Sequence, residues 1–164
     1  GLGDVYKRQG LGPRHALLTR DRSKQILTVS GELSASVQSW SRRASEDAWS
    51  RGWRLVDQTP SSSDATAVPS AIVPGPDGQL LVANRGVGTC GVLSGPLGHH
   101  KLIDEFSLGG VQPRDLTSDG DQLWVAEQAD GAVLCLHRST EGWRQRLRLD
   151  LPGASRVLIG PTLG

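Results

Sequence analysis

A chain of 164 residues is long enough for one domain with a hydrophobic core. Its 21 Gly and 9 Pro beside only 37% hydrophobic residues suit short strands joined by turns better than a helical bundle. Its 18 basic and 17 acidic residues leave a net charge of +1 with no Lys/Arg stripe, which argues against nucleic acid, and no apolar run approaches the ~20 residues that span a bilayer.

In chain order, residues 1–9 read as a translated sequencing adaptor or cloning remnant and are set apart from the fold; they hold the only tyrosine, Tyr6. With 0 Met in the chain, an incomplete or processed N-terminus is expected. No signal peptide is visible, so a cytoplasmic location is expected. Cys90 and Cys135 show neither metal spacing nor a CxxC pair, and each reads as a buried free thiol in a reducing compartment.

Three segments align. The first runs Gly12-Pro13-Arg14-His15 and then Gln25-Ile26-Leu27-Thr28-Val29-Ser30-Gly31-Glu32. The second runs Val68-Pro69-Ser70-Ala71-Ile72 and then Asp77-Gly78-Gln79-Leu80-Leu81-Val82-Ala83-Asn84-Arg85. The third runs Gln112-Pro113-Arg114-Asp115-Leu116 and then Asp119-Gly120-Asp121-Gln122-Leu123-Trp124-Val125-Ala126-Glu127-Gln128. Pro13, Pro69 and Pro113 stand 56 and 44 residues apart. A unit of about 40–50 residues is the size of a four-stranded propeller blade. The longer first interval implies a Ser-, Arg- and Trp-rich insert near 39–54.

The third unit divides into strands over 114–117, 122–127, 132–138 and 143–149. Asp-Gly pairs between the first two strands of units two and three are hairpin signals, as is Asp130-Gly131. The expected fold is all-β: about three four-stranded blades of an incomplete, seven-bladed β-propeller, with units over about 10–59, 60–108 and 109–151. A closing strand is expected over 154–160, and further blades of the same protein upstream. A β-sandwich is the alternative, but sandwiches do not recur every 44 residues. A helical turn over 45–50 lacks an apolar stripe. Trp124 is expected in the blade core, Trp53 and Trp143 in outer-strand packing, and Trp40 and Trp49 over the insert. His99 and His100 are expected in a solvated loop, His137 at an exposed strand end, and Arg42-Arg43 on the solvated surface. The glycines of 86–91 lack the strand-to-helix setting of a phosphate loop.

Stacking the units aligns Arg14, Ser70 and Arg114, then His15, Ala71 and Asp115. At the ends of the second strands it aligns Gly31-Glu32, Asn84-Arg85 and Glu127-Gln128. Like positions of successive blades lie at like distances from the central axis, so these polar groups are expected to converge. Such a set resembles the polar centre of lactone-opening propellers, and that resemblance implies the roles. Glu32 would deprotonate water as general base and Arg85 would stabilise the oxyanion, while Arg14 or Arg114 would hold a phosphate or carboxylate bidentately. His15 and Asn84 join the substrate contacts. No metal and no cofactor is required.

Through Gly12-Pro13-Arg14-His15, Glu32-Leu33, Pro69-Ser70-Ala71-Ile72, Asp77-Gly78, Leu81-Val82-Ala83-Asn84-Arg85-Gly86 and Pro113-Arg114-Asp115, residues 10–160 resemble the C-terminal half of the lactonase family of seven-bladed β-propellers, the 6-phosphogluconolactonase-like group. The resemblance implies hydrolysis of a sugar lactone in carbohydrate metabolism, on the pentose phosphate pathway. The expected partner is a lactone or phosphorylated sugar acid, and Arg14, Glu32 and Arg85 match the family's central site. A family His from an earlier blade has no counterpart here, and Gly31 stands where Asn usually precedes the Glu. A lactone-forming cycloisomerase acting on a muconate-like dicarboxylate and a non-enzymatic interaction scaffold are the alternatives. The three units alone are expected to be inactive and poorly soluble, since open blade edges invite pairing.

Overall fold

The computed structural model describes residues 10–45 and 52–160. Among them, strands β1 (Pro13–Arg20), β2 (Lys24–Gly31), β3 (Ser36–Arg43) and β4 (Arg54–Pro60) form one antiparallel sheet in chain order. β5 (Val68–Pro74), β6 (Leu80–Arg85), β7 (Thr89–Ser94) and β8 (Lys101–Ser107) form a second, and β9 (Pro113–Asp119), β10 (Gln122–Glu127), β11 (Ala132–Ser139) and β12 (Gly142–Asp150) a third. The sheets stack as blades, with the first strand of the middle sheet, β5, packed against β1 on one side and β9 on the other. The expected propeller architecture is therefore present.

The turn chemistry explains the hairpins. Asp77 (φ 57°, ψ 27°) and Gly78 (φ 72°) both occupy the left-handed region, the pair of conformations that matches the twist of two antiparallel strands. The turn is closed by Gln79 N–H donating to Pro76 O at 3.0 Å, and Gly75 N–H donates to Gln79 O at 2.8 Å just outside it.

The middle blade has a neighbour on each side, and its sequence shows it. β6 and β7 are buried through nearly continuous apolar runs rather than by alternation. One face of the blade carries Ile72, Leu80, Val82 and Leu93 against Val37 and Leu17 of the first blade. The other carries Val73, Leu81, Ala83 and Val92 against Leu116, Leu123, Val125 and Leu134 of the third. Trp143 closes the outer rim of that second seam by stacking on Phe106 with centroids 5.6 Å apart, as its outer-strand assignment anticipated. Cys90 and Cys135 are buried free thiols on separate blades.

Several expectations are corrected. The supposed insert over 39–54 is in part β3 itself, and the extra chain is the β3–β4 connection; the helical turn over 45–50 falls almost wholly outside the described residues, and Trp49 with it. Arg42 is not solvated. It is 5% exposed, donates from Nε to Gln25 Oε1 at 2.9 Å and lies 5.3 Å from the Trp53 ring centroid, so its charge is kept inside by a hydrogen bond and a π face. His100 is buried, with its backbone N–H on Asp57 Oδ2; burial lowers its pKa, partly countered by the Asp57 charge. Trp124 faces away from the seam core of Leu123 and Val125 and lines a cleft with Val133, Val157, Leu158 and Ile159. Residues 154–160 form no strand. A strand needs a ladder partner, and the described contact is instead a side-chain one, Val157 N–H donating to Asp115 Oδ2 at 3.0 Å.

Candidate functional site at the head of the inner strands

Every first strand begins where its second strand ends: Pro13 pairs with Gly31, Val68 with Arg85 and Pro113 with Glu127. The polar columns read from the repeat therefore share one end of the blade stack.

The register breaks at that end in all three blades. Between Pro13↔Gly31 and His15↔Ser30 the first strand has one residue too many, which is Arg14. Between Glu127↔Pro113 and Ala126↔Asp115 the extra residue is Arg114. The second blade shifts between Pro69 and Ile72, across Ser70 and Ala71. A bulge turns a side chain out of the pleat's alternation. Arg14 and His15, though consecutive, accordingly line the same cleft, together with Arg114, Asp115, Ser155 and Arg156. That cleft has a volume of about 480 Å³ and a floor of Leu17, Ile72, Val73 and Leu116. Arg114 is steadied by Nη1 donating to Gln128 Oε1 at 2.7 Å.

Hydroxyls link the three bulges. Ser30 Oγ donates to Ser70 O at 2.8 Å, and Ser70 Oγ to Pro113 O at 2.6 Å, both buried and both from one blade to the next. His15 adds a third link, its Nδ1 accepting Ile72 N–H at 3.0 Å. Nδ1 thus carries a lone pair toward the second blade, which leaves only the Nε2 side of the ring for a ligand.

Glu32 and Arg85 meet across the first seam, with Nη2 2.6 Å from Oε1. The contact is one of charge. Its angle is too poor for a hydrogen bond, so Nη2 and Nε of this largely buried guanidinium have no hydrogen-bond acceptor among the described residues. The pair is not among the residues lining the cleft of Arg14 and Arg114.

Asn84, expected as a substrate contact, is 0% exposed. Its amide donates to Ser61 O at 2.9 Å and ties the chain entering the second blade. Glu127, its counterpart in the third blade, is equally buried and accepts Gln112 N–H with both oxygens, at 2.9 and 3.1 Å. This column anchors the entering chain rather than a ligand. In the first blade the place belongs to Gly31, because Leu11 Cδ1 would stand 2.2 Å from a Cβ there.

Sequence reasoning missed two groups. Arg156 joins the cleft from a segment read only as a closing strand; its position soon after Ala154-Ser155, one repeat length beyond Pro113-Arg114, was the available signal. Glu105 on β8 collects hydrogen bonds from Ser62 Oγ, Thr89 Oγ1 and both the N–H and hydroxyl of Ser63. Desolvation opposes its ionisation, but these donors outweigh it and bring its pKa down to about 2. Among the described residues no cluster of three or more His, Cys, Asp or Glu is placed to hold a metal ion, and no helix is long and apolar enough to cross a membrane.

Three four-stranded meanders packed in series through their first strands define part of a β-propeller. The sequence matches the model of the family "Lactonase, 7-bladed beta-propeller" over residues 3–157, and the chain belongs to that family. Solved structures agree on the fold. A Bacteroides fragilis protein described as a candidate 6-phosphogluconolactonase superposes with a TM-score of 0.72 at 17% identity, covering 90% of this chain and 41% of that one. A Lactobacillus plantarum protein gives 0.74 at 25% identity, covering 90% and 44%. The periplasmic gluconolactonase of Pseudomonas aeruginosa gives 0.71 at 22%, covering 89% and 42%. The chain thus spans about two-fifths of the length of these structures. No curated protein matches it.

Proposed function

We propose that the complete protein hydrolyses a sugar lactone of the 6-phosphogluconolactone class, in carbohydrate metabolism on the pentose phosphate pathway, and that the three blades alone are inactive. The observation that carries this reading is the juxtaposition of Glu32 and Arg85, 2.6 Å apart at the strand heads. Glu32 takes a proton from water as the hydroxide forms its bond to the lactone carbonyl carbon. The carbonyl oxygen becomes an oxyanion beside Arg85, whose guanidinium donates N–H hydrogen bonds to it. As the intermediate collapses, the ring C–O bond breaks and the leaving oxygen takes the proton from Glu32, which restores the carboxylate. Arg14 and Arg114, in their own cleft, hold the substrate's anionic tail. Further blades of the same protein complete the surface. A cytoplasmic location belongs to this reading and is supported by the two free thiols; the periplasmic gluconolactonase is a relative in fold with a different stated location.

The test is lactone turnover by the complete protein. Glu32→Gln lowers kcat by about 10²–10⁴-fold on 6-phosphogluconolactone, and Arg85→Ala lowers it by a comparable factor. Unchanged kinetics in both variants removes the proposed roles. Arg14 and Arg114 suit a dicarboxylate as well, so the same preparation is assayed with a muconate-like substrate; turnover there and none on lactones favours the cycloisomerase.

A further inference from the structure

We propose that His15 and Asp115 are positioning residues: each locks the bulge that carries the arginine before it, and so holds the guanidiniums of Arg14 and Arg114 ready for an anion. The inference rests on reading the cleft as the place where the substrate's anionic end is bound.

Three observations converge. First, Arg14 and Arg114 are each the extra residue of a bulge. A bulged residue lacks ladder hydrogen bonds of its own, so its direction depends on what fixes the residues beside it. Second, the next residue in each case reaches across to the following stretch of chain and accepts a backbone N–H, His15 Nδ1 from Ile72 at 3.0 Å and Asp115 Oδ2 from Val157 at 3.0 Å. An imidazole and a carboxylate thus perform one task at one repeat position. Third, the remaining blade supplies a natural control. Where the arginine position holds Ser70, the next residue is Ala71, which has no side-chain acceptor, and Ser70 itself bonds to Pro113 O instead. The side-chain acceptor for the following stretch of chain occurs in the two units that carry an arginine and is missing from the unit that does not.

A purely electrostatic role predicts a different pattern. Among the described residues, the charged groups sharing the cleft are Arg14, Arg114 and Arg156, with Asp115 as the one carboxylate. An anion bound there is repelled by Asp115, so by charge alone any neutral replacement tightens binding. If Asp115 works by holding the strand head, loss of the acceptor loosens the guanidinium and weakens binding in spite of the gained charge.

The experiment uses the complete protein and inorganic phosphate as probe, with calorimetric affinity, thermal midpoint and hydrogen exchange at the Ile72 and Val157 amides as readouts. Asp115→Ala is expected to weaken phosphate binding about 5–10-fold and to speed exchange at Val157. Asp115→Asn keeps an oxygen acceptor and is expected to bind phosphate at least as tightly as the parent. His15→Ala and His15→Asn form the parallel pair, with Asn placing Oδ1 where Nδ1 stands and restoring both affinity and slow Ile72 exchange. Tighter phosphate binding by Asp115→Ala, or unchanged affinity in both alanine variants despite faster exchange, overturns the positioning role. Failure of His15→Asn to restore affinity also overturns it, because the imidazole would then be touching the ligand. Should either alanine variant fail to fold, the other pair still decides the matter. If Arg14→Ala and Arg114→Ala leave phosphate affinity unaltered, it is the anion-cleft reading that falls, while amide exchange still reports whether the acceptors hold the strand heads.

Discussion

Glu105 Oε2 accepts both the backbone N–H and the hydroxyl of Ser63, at 2.9 and 2.7 Å, so that one carboxylate on β8 fastens the chain that crosses from the first blade to the second. With Ser62 and Thr89 on the other oxygen, the ionised form is the one the fold selects.

The sign of the resulting pH dependence is fixed. The folded pKa is depressed to about 2, so the stabilisation is fully present above the ordinary glutamate value and is lost as pH falls through about 2. Urea denaturation of the complete protein from pH 6 to pH 2 will show stability falling in acid. Glu105→Gln will be destabilised by about 1–2 kcal/mol at neutral pH, with a flatter profile over the acid range.

Glu127 presents a different case, a fully buried carboxylate whose described partners are backbone N–H groups of Gln112 and Ala129. Glu127→Ala strands those donors and opens a void, at an expected cost of about 3 kcal/mol. Glu127→Gln keeps an acceptor oxygen and should lose less than half as much. Equal urea midpoints for the two variants would sink this account.

Gly88 packs with no room for a side chain. Its φ is +70°, and a Cβ would stand 2.1 Å from the carbonyl oxygen of Gly110, a backbone atom on the chain entering the third blade. Gly88→Ala is expected to cost more than about 2 kcal/mol, from conformational strain plus displacement of that chain. Gly120→Ala is the control: φ is also positive, at +56°, but nothing lies within 4 Å, so thermal melts should separate the two.

The second hydroxyl link, from Ser70 to Pro113, is tested by Ser70→Ala. It leaves Pro113 O without its 2.6 Å donor in a buried setting, and a loss of about 1–3 kcal/mol is expected. Because the carbonyl belongs to the bulge of the next blade, phosphate affinity should fall as well.

The strands of the third unit were legible almost to the residue, because Asp-Gly turns and alternating side chains are local signals. The equivalence of Arg14 and Arg114 was legible in the repeat. Their bulges were not, since a register shift is a property of two strands at once. Burial of Arg42, His100 and Asn84 was hidden for a related reason: each is covered or held by residues distant in sequence, such as Gln25 for Arg42, Asp57 for His100 and Ser61 for Asn84. Trp124 was misplaced because hydrophobicity does not say which face of a blade meets a neighbour. The role of Asn84 was misread because a polar residue at a strand end serves a turn or a ligand with the same atoms.

The links from Ser30 to Ser70 and from Ser70 to Pro113 tie each strand head to its neighbour, hand to hand around the axis. On the proposed reading of the cleft, a substrate that draws one arginine inward would tug the adjacent sheet with it. Stiffness at the strand heads would then be a collective property of the stack, and a substitution two blades away from a bound anion would soften its grip without touching it.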